Sequence, residues 1–322
     1  MIKNGTSQTD KKNTNKYDWL KVKRFFLGMQ GKDGFLLKFI VYGLLITIGF
    51  VYLYPLIYMG SYSLKSLDDL LNPLVNWVPT GWYIENYTRA MQVLDFWPTL
   101  LQTLYVTVLP ALVQTAVAGV IGYGFARFQF PLKKTLFVLV LATFIIPPQV
   151  LMIPRYVFFN ELGILGNIQS FLLPALFGQG LNSAIFILIF YQFFKMIPQS
   201  LEEAAQLDGA GYLRIFATIA IPMAGPAIII SFLFSFVWYW NETSLAAIYF
   251  GNSLTTLPLE LNRFVATYEQ MYAGNLGTSE STINEGINMA GTMLSIIPLL
   301  IVYFLTQRWF VEGVDRSGIT GE

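Results

Sequence analysis

The side chains of this sequence whose types and spacing indicate chemistry lie in one short charged segment between two long apolar runs. Its marked positions are Glu203, Ala204, Ala205, Asp208, Gly209, Ala210, Arg214 and Pro222. The whole sequence contains no Cys and no His, which removes disulfides, thiolate or imidazole metal ligands and any Ser-His-Asp arrangement. Carboxylates with small neighbouring residues remain, and this combination favours a binding surface for another protein.

Apolar spacing around this segment predicts a helix, a turn and a second helix at the membrane surface. The first stripe is Leu201, Ala204, Ala205 and Asp208, and the second is Tyr212, Ile215, Phe216 and Ile219. Gly209 lies where the first helix should end, since it permits a backbone reversal that a residue with a Cβ resists. The two alanines let another surface approach closely, and Glu203 offers an anchoring charge. A loop helix whose alanines merely pack would not explain the joint spacing.

Composition indicates a membrane protein. Apolar residues make up 55% of the chain and charged residues 12%, a balance that belongs in a bilayer. The net charge is +1, and no basic patch is interleaved with aromatics, so nucleic-acid binding is not expected.

The N-terminal segment reads as a tail. Residues 1–35 are predicted to be cytoplasmic and partly disordered, because the first 16 or so are polar with almost nothing to bury. They do not resemble a signal peptide, since the polar region and the following apolar run are both too long and no small-residue cleavage site follows. Residues 36–322 are predicted to form one transmembrane domain.

Uninterrupted uncharged stretches predict an all-α polytopic protein with six transmembrane helices. They are Phe39 to Leu64, Phe96 to Ala126, Thr135 to Pro154, Leu162 to Phe194, Ile215 to Asn241 and Gly286 to Gln307. Each is long enough to cross about 30 Å of hydrocarbon at about 1.5 Å per residue. Lys and Arg crowd the N-terminal flank, the loop after the second stretch and the C-terminal flank, which predicts that both termini are cytoplasmic. With six spans, residues 199–213 between the fourth and fifth are then also cytoplasmic, although their own Lys and Arg content would not decide this.

Prolines lie within most of these stretches. They are Pro55, Pro110, Pro147, Pro148, Pro174, Pro226 and Pro298. Kinked helices around a cavity that opens would explain them, and so would the ordinary frequency of proline in membrane helices.

The chain is not expected to be an enzyme. It has no GxxxxGK[ST] phosphate-binding loop, because the stretch from Gly28 to Lys32 has the wrong spacing. No cofactor is therefore expected in this chain, and any ATP and Mg²⁺ would be held by partner subunits.

The charged segment resembles the EAA motif of importer-type ABC transporter permeases. The matching positions are Glu203, Ala204, Ala205, Gly209, Ile219, Ile221 and Pro222. The resemblance implies a type I importer permease fold in which residues 199–213 form a coupling helix that docks in a cleft of the ATPase subunit. It also implies that Glu203 meets basic or polar groups there and that Gly209 sets the turn.

Further motifs are similar to the shorter, six-span permease of maltose-type carbohydrate importers. They include Trp77-Val78-Pro79-Thr80, Glu85-Asn86-Tyr87, Ala126-Arg127, Trp240-Asn241-Glu242 and the run from Gln307 to Gly313. Gln102 departs from the pattern, where an Asn before Thr or Ser is usual, and the basic N-terminal extension is longer than typical. The implied partners are a second homologous permease, two ATP-binding subunits, an extracytoplasmic sugar-binding protein, membrane lipid and a carbohydrate substrate, in the cytoplasmic membrane of a bacterium.

Candidate substrate residues lie at the end of the fifth stretch. Trp238, Trp240, Asn241 and Glu242 supply the aromatic faces and hydrogen-bonding groups that sugars use. An aromatic belt at the membrane boundary explains the same residues and is the interpretation that we favour. Glu242, the charge that borders a span, would either cap that span or line the route.

Three rival functions stay open. An ion-coupled secondary transporter would need intramembrane carboxylates and preferably inverted repeats, neither of which is evident. An ABC permease for a peptide, amino acid or phosphate would share the EAA motif. A membrane scaffold would leave the complete motif unexplained.

Overall fold

The protein folds almost wholly into α-helices. The computed structural model describes residues 28–29, 32–272 and 283–316, with side chains described for 34–272 and 283–308. The helices in those ranges are α1 (Phe35–Tyr62), α2 (Leu67–Leu71), α3 (Glu85–Val93), α4 (Phe96–Arg127), α5 (Lys133–Ile145), α6 (Pro148–Glu161), α7 (Gln169–Leu176), α8 (Ser183–Met196), α9 (Gln199–Leu207), α10 (Tyr212–Ile215), α11 (Ile221–Met223), α12 (Gly225–Asn241), α13 (Ser244–Phe250), α14 (Leu257–Tyr272) and α15 (Glu285–Arg316).

Two short strands precede the first helix. Strands β1 (Gly28–Met29) and β2 (Lys32–Asp33) pair in antiparallel register. Most of the predicted N-terminal tail lies outside the described residues, so its disorder stays a prediction.

Contacts divide the chain into two units, Met1–Ser61 and Tyr62–Glu322. In the first unit, α1 buries none of its residues and is apolar on every side. Such a helix suits a lipid environment, because every backbone group is satisfied within the segment.

Three helices are long and apolar enough to cross a membrane unbroken, namely α1, α4 and α15. Each continues through a proline, at Pro55, Pro110 and Pro298 respectively. The predicted interruptions at these three prolines therefore do not end the helices.

The other three predicted spans are not single helices. The prediction of six unbroken transmembrane helices is therefore corrected to three unbroken helices and three bent pairs among the described residues. Three pairs of helices could each form one bent span. The bend is 99° between α5 and α6, 70° between α8 and α9, and 75° between Tyr212–Met223 and α12. The described residues thus hold up to six spans if each bent pair counts as one. The predicted fourth span is further divided, because residues 177–182 separate α7 from α8.

Helix α4 is central to the packing of the second unit, where it contacts α7, α8 and α12. On α8, Phe186, Phe190 and Phe194 repeat every four residues and are fully buried. Lipid tails are as apolar as phenylalanine, so close fit rather than exclusion of water stabilises this contact. It fixes the end of α4 beside the segment that follows α8.

Candidate functional site

The predicted helix-turn-helix is present as α9, a tight turn and α10. Gly209 has φ +82°, a left-handed conformation that a Cβ disfavours. The amide of Ala210 donates to the carbonyl of Ala205 at 2.9 Å, and the amide of Gly209 donates to Gln206 at 3.0 Å. These two bonds form a complete Schellman motif, which defines the direction in which the chain leaves α9.

Helix α9 is fixed to the rest of the protein by a buried ion pair. Nε of Arg127, the last residue of α4, lies 2.8 Å from Oε1 of Glu202, and both side chains are more than nine-tenths buried. A second nitrogen of Arg127 donates to the carbonyl of Ile197 at 2.9 Å, and the hydroxyl of Tyr123 lies 3.5 Å from the same carboxylate. The end of α4 therefore holds both the start and the inner face of α9.

Sequence reasoning selected Glu203 and missed Glu202. Neighbouring residues on a helix point about 100° apart, so only one carboxylate of the pair can face Arg127. Glu203 is exposed, and its anchoring role stays a prediction. The signal available in the sequence was the pair of adjacent glutamates, together with Arg127 at the end of the second predicted span.

The outer surface of this segment carries two strongly exposed leucines among charged residues. Leu207 of α9 is 90% exposed and Leu213 of α10 is 85% exposed. The predicted positions Glu203, Ala204, Asp208, Gly209, Arg214 and Pro222 are also exposed, whereas Ala205 and Ala210 are half-buried. An exposed apolar patch with a polar rim is typical of a protein interaction site.

After α10 the helix continues as a π-helical turn, Phe216–Ala220, and then as α11. Ring contacts join Phe216 to Tyr123 at 4.8 Å and to Phe194 at 6.4 Å. Pro222 follows this turn, in α11. The π turn is thus packed against the same end of α4 that carries the ion pair.

A cavity of about 280 Å³ with a mixed polar and apolar lining lies at the C-terminal end of α12. Its wall includes Phe144, Arg155, Gln179, Asn182, Ser183, Trp238, Asn241, Glu242 and Tyr249. The structure brings three of the predicted substrate residues, Trp238, Asn241 and Glu242, to this cavity. Trp240 is separate, since it is 2% exposed in the core and packs 5.5 Å from the ring of Phe236.

Glu242 both caps a helix and lines the cavity. Its Oε1 accepts the amide of Leu245 at 2.8 Å, which satisfies an N-terminal donor of α13. Glu242 thus caps α13 rather than the fifth span, and its place on a translocation route stays a prediction.

The cavity wall from Gly178 to Asn182 is held by a buried network. Nε2 of Gln114 donates to the carbonyl of Leu181 at 2.7 Å, and the hydroxyl of Tyr239 donates to Oε1 of Gln114 at 2.8 Å. A Cβ on Gly180 would collide with that same Oε1. The wall can follow this path only with glycine at position 180.

Arg155 is a functional candidate that sequence reasoning missed. The third apolar stretch was taken to end at Pro154, which left Arg155 outside the membrane region. The 99° bend between α5 and α6 instead brings Arg155 to the cavity wall with Glu242. The double proline Pro147-Pro148 was the available signal, because a residue before proline is biased away from helical geometry.

Comparison with known proteins relates the chain to membrane transport components. The family described as binding-protein-dependent transport system inner membrane component matches residues 116–316. The osmoprotective compounds uptake permease protein of Synechocystis is 29% identical over 296 residues, which cover 89% of this chain and 94% of that protein. The polygalacturonan/rhamnogalacturonan transport system permease protein of Bacillus subtilis is 27% identical over 290 residues, 89% and 99% of the two chains.

A solved structure shares the fold. It is the crystal structure of a bacterial ABC transporter involved in the import of the acidic polysaccharide alginate. The match has a TM-score of 0.68 and 25% identity, and covers 85% of this chain and 96% of that chain.

Proposed function

The chain belongs to the family of binding-protein-dependent transport system inner membrane components, as a multi-pass permease component of an ABC importer, and we propose that its substrate is a carbohydrate. One observation carries this proposal: Trp238, Asn182 and Asn241 line the same cavity. Aromatic faces and amides are the groups that hold sugars. Permeases that resemble this chain, named above for polygalacturonan and alginate, support it.

We propose that the α9–α10 segment couples transport to an ATPase subunit. Its exposed leucines supply an apolar docking surface, and Glu203 projects beside them. The buried Arg127–Glu202 pair is the mechanical link, because a displacement of α9 must move the end of α4 or separate two desolvated charges.

The proposed complex contains this permease, a second homologous permease, two ATP-binding subunits and an extracytoplasmic sugar-binding protein. ATP and Mg²⁺ are held by the ATP-binding subunits. Both termini and the α9–α10 segment face the cytoplasm, in the cytoplasmic membrane of a bacterium, as the distribution of Lys and Arg favours.

The proposed mechanism is alternating access. The binding protein delivers sugar to the outer face, and closure of the ATPase pair on ATP moves α9 and opens the pathway outward. Hydrolysis then returns the pathway to the inward-facing state.

The first experiment is recovery of this chain with its partners from detergent-solubilised membranes, followed by mass spectrometry. We expect an ATPase, a second permease and an extracytoplasmic binding protein to come with it. The recovered binding protein is then screened against sugars and against osmolytes, because one relative is named for osmoprotective compounds. Recovery of the chain alone would favour a self-sufficient secondary carrier, and a binding protein that ignores sugars would favour a different cargo.

A further inference from the structure

The cavity beside α12 contains a guanidinium group that the described chain does not neutralise. Arg155 lines the cavity, and the two ion pairs among the described residues join Arg89 to Glu85 and Arg127 to Glu202. No described residue hydrogen-bonds to the Arg155 side chain. Arginine offers five hydrogen-bond donors in a planar fork and no acceptor, so this wall suits a ligand group that accepts hydrogen bonds.

Two buried hydroxyl groups in the same wall are also unused. Neither Oη of Tyr249 nor Oγ of Ser183 has a hydrogen-bond partner among the described residues, and the two residues are 2% and 5% exposed. An unsatisfied buried polar group costs about 1–3 kcal/mol. Burial raises the pKa of Tyr249, the positive charge of Arg155 opposes that rise, and the negative charge of Glu242 adds to it.

These groups select among sugars. A neutral sugar would use Trp238 and the amides of Gln179 and Asn182, but it would leave the guanidinium unpaired. A carboxylate accepts two parallel hydrogen bonds from arginine and compensates its charge. Glu242 lies in the same wall and accepts the amide of Leu245 with one oxygen, but it forms no ion pair with Arg155 in this conformation.

We propose that this cavity binds a uronate-containing oligosaccharide, with Arg155 on the sugar carboxylate. The hydroxyl oxygens of Tyr249 and Ser183 are covered in this conformation and would reach ring hydroxyls after a small shift of the wall on binding. The inference rests on the proposed function and narrows its substrate class from carbohydrate to acidic carbohydrate.

The test uses the complete importer in proteoliposomes with its binding protein. The probes are trigalacturonate and trimannuronate, each with its neutral trisaccharide counterpart. We expect uptake of at least one uronate trisaccharide, and Arg155→Gln should lower that uptake about tenfold or more through KM, as loss of a charged hydrogen bond predicts. Arg155→Lys should restore part of it, and Arg263→Gln, an exposed arginine of α14, should change nothing.

Tyr249→Phe separates ligand binding from folding. Because this hydroxyl has no hydrogen-bond partner among the described residues, its removal should leave the amount and thermal stability of the complex unchanged. Uptake of the uronate trisaccharide should nevertheless fall about threefold or more.

Three outcomes would overturn the inference while leaving carbohydrate transport intact. They are binding and uptake of neutral sugars alone, equal loss of both sugar classes in Arg155→Gln, and unchanged acidic uptake in that variant. Equal loss would indicate that Arg155 pairs with Glu242 during the transport cycle. Failure to carry any sugar would instead refute the proposed function.

Discussion

At the scale of residues, two adjacent carboxylates of the α9–α10 segment have opposite surroundings. Glu202 is buried against Arg127, whereas Glu203 is exposed on the same helix. The first stabilises the position of α9 within this chain, and the second is free to meet another protein. Because the two glutamates are neighbours with different surroundings, a substitution of one serves as the control for the same substitution of the other.

Removing the two carboxylates one at a time should therefore have different effects. Glu202→Ala leaves Arg127 charged and buried, which costs about 3 kcal/mol and should lower the thermal unfolding midpoint of the purified chain. Glu203→Ala should leave that midpoint unchanged and weaken binding of the ATPase subunit. Thermal unfolding in detergent and co-purification of the ATPase measure the two effects. Equal midpoints for both variants would contradict the ion-pair argument.

Sequence reasoning reached the coupling segment but not the partner of each charge. The Glu-Ala-Ala spacing is local, so it can be read from the chain directly. The contact between Arg127 and Glu202 joins residues 75 positions apart, and no local pattern records which face of α9 turns inward. The same limit applies to Arg155, whose place depends on a bend rather than on its neighbours in the sequence.

At the scale of elements, the turn between α9 and α10 has a strict conformational requirement. Gly209 combines φ +82° with a hydrogen bond from its own amide to Gln206. Nothing lies within 4 Å of the position that a Cβ would take. The requirement is therefore one of backbone conformation and not of space.

Gly209→Pro should break transport and leave membrane insertion intact. Proline fixes φ near −65° and removes the amide donor, so the Schellman motif cannot form and α10 leaves α9 in another direction. Gly211→Ala is the matched control, because Gly211 has φ −74° and open space around it. Uptake assays and the amount of chain in the membrane test this prediction. Normal uptake in Gly209→Pro would count against coupling through this segment.

The helical content and the apolar stretches could be predicted, but their interruptions could not. Hydropathy records how many apolar residues follow one another and not the direction they take. Pro110 lies inside the continuous helix α4, whereas Pro148 and Pro226 occupy first turns of new helices. Proline is compatible with both settings, since a first-turn residue needs no helical amide bond and membrane helices tolerate interior prolines.

At the scale of the whole molecule, the orientation of the chain in the membrane can be measured by labelling its loops from either side. The natural absence of cysteine makes the chain suitable for single-cysteine labelling without prior substitutions. Four exposed positions divide between the predicted sides. Lys134 and Asp208 are predicted to be cytoplasmic, and Asp68 and Glu269 are predicted to lie outside.

A maleimide that cannot cross the membrane should label Asp68→Cys and Glu269→Cys in intact cells. It should label Lys134→Cys and Asp208→Cys only after the membrane is opened. The opened sample also serves as the control that each cysteine is reactive. Labelling of Asp208→Cys in intact cells would place the α9–α10 segment on the outer side and refute its contact with an ATPase.

The exposed leucines of α9 and α10 also have a consequence for the life of the chain in the cell. If an ATPase subunit covers Leu207 and Leu213 in the importer, as we propose, a newly made permease exposes until then the kind of apolar surface that chaperones and quality-control proteases recognise. Unassembled copies should therefore be short-lived. We expect the cellular level of this permease to follow the supply of its ATPase, which would keep the subunits of the importer in proportion without matched rates of synthesis.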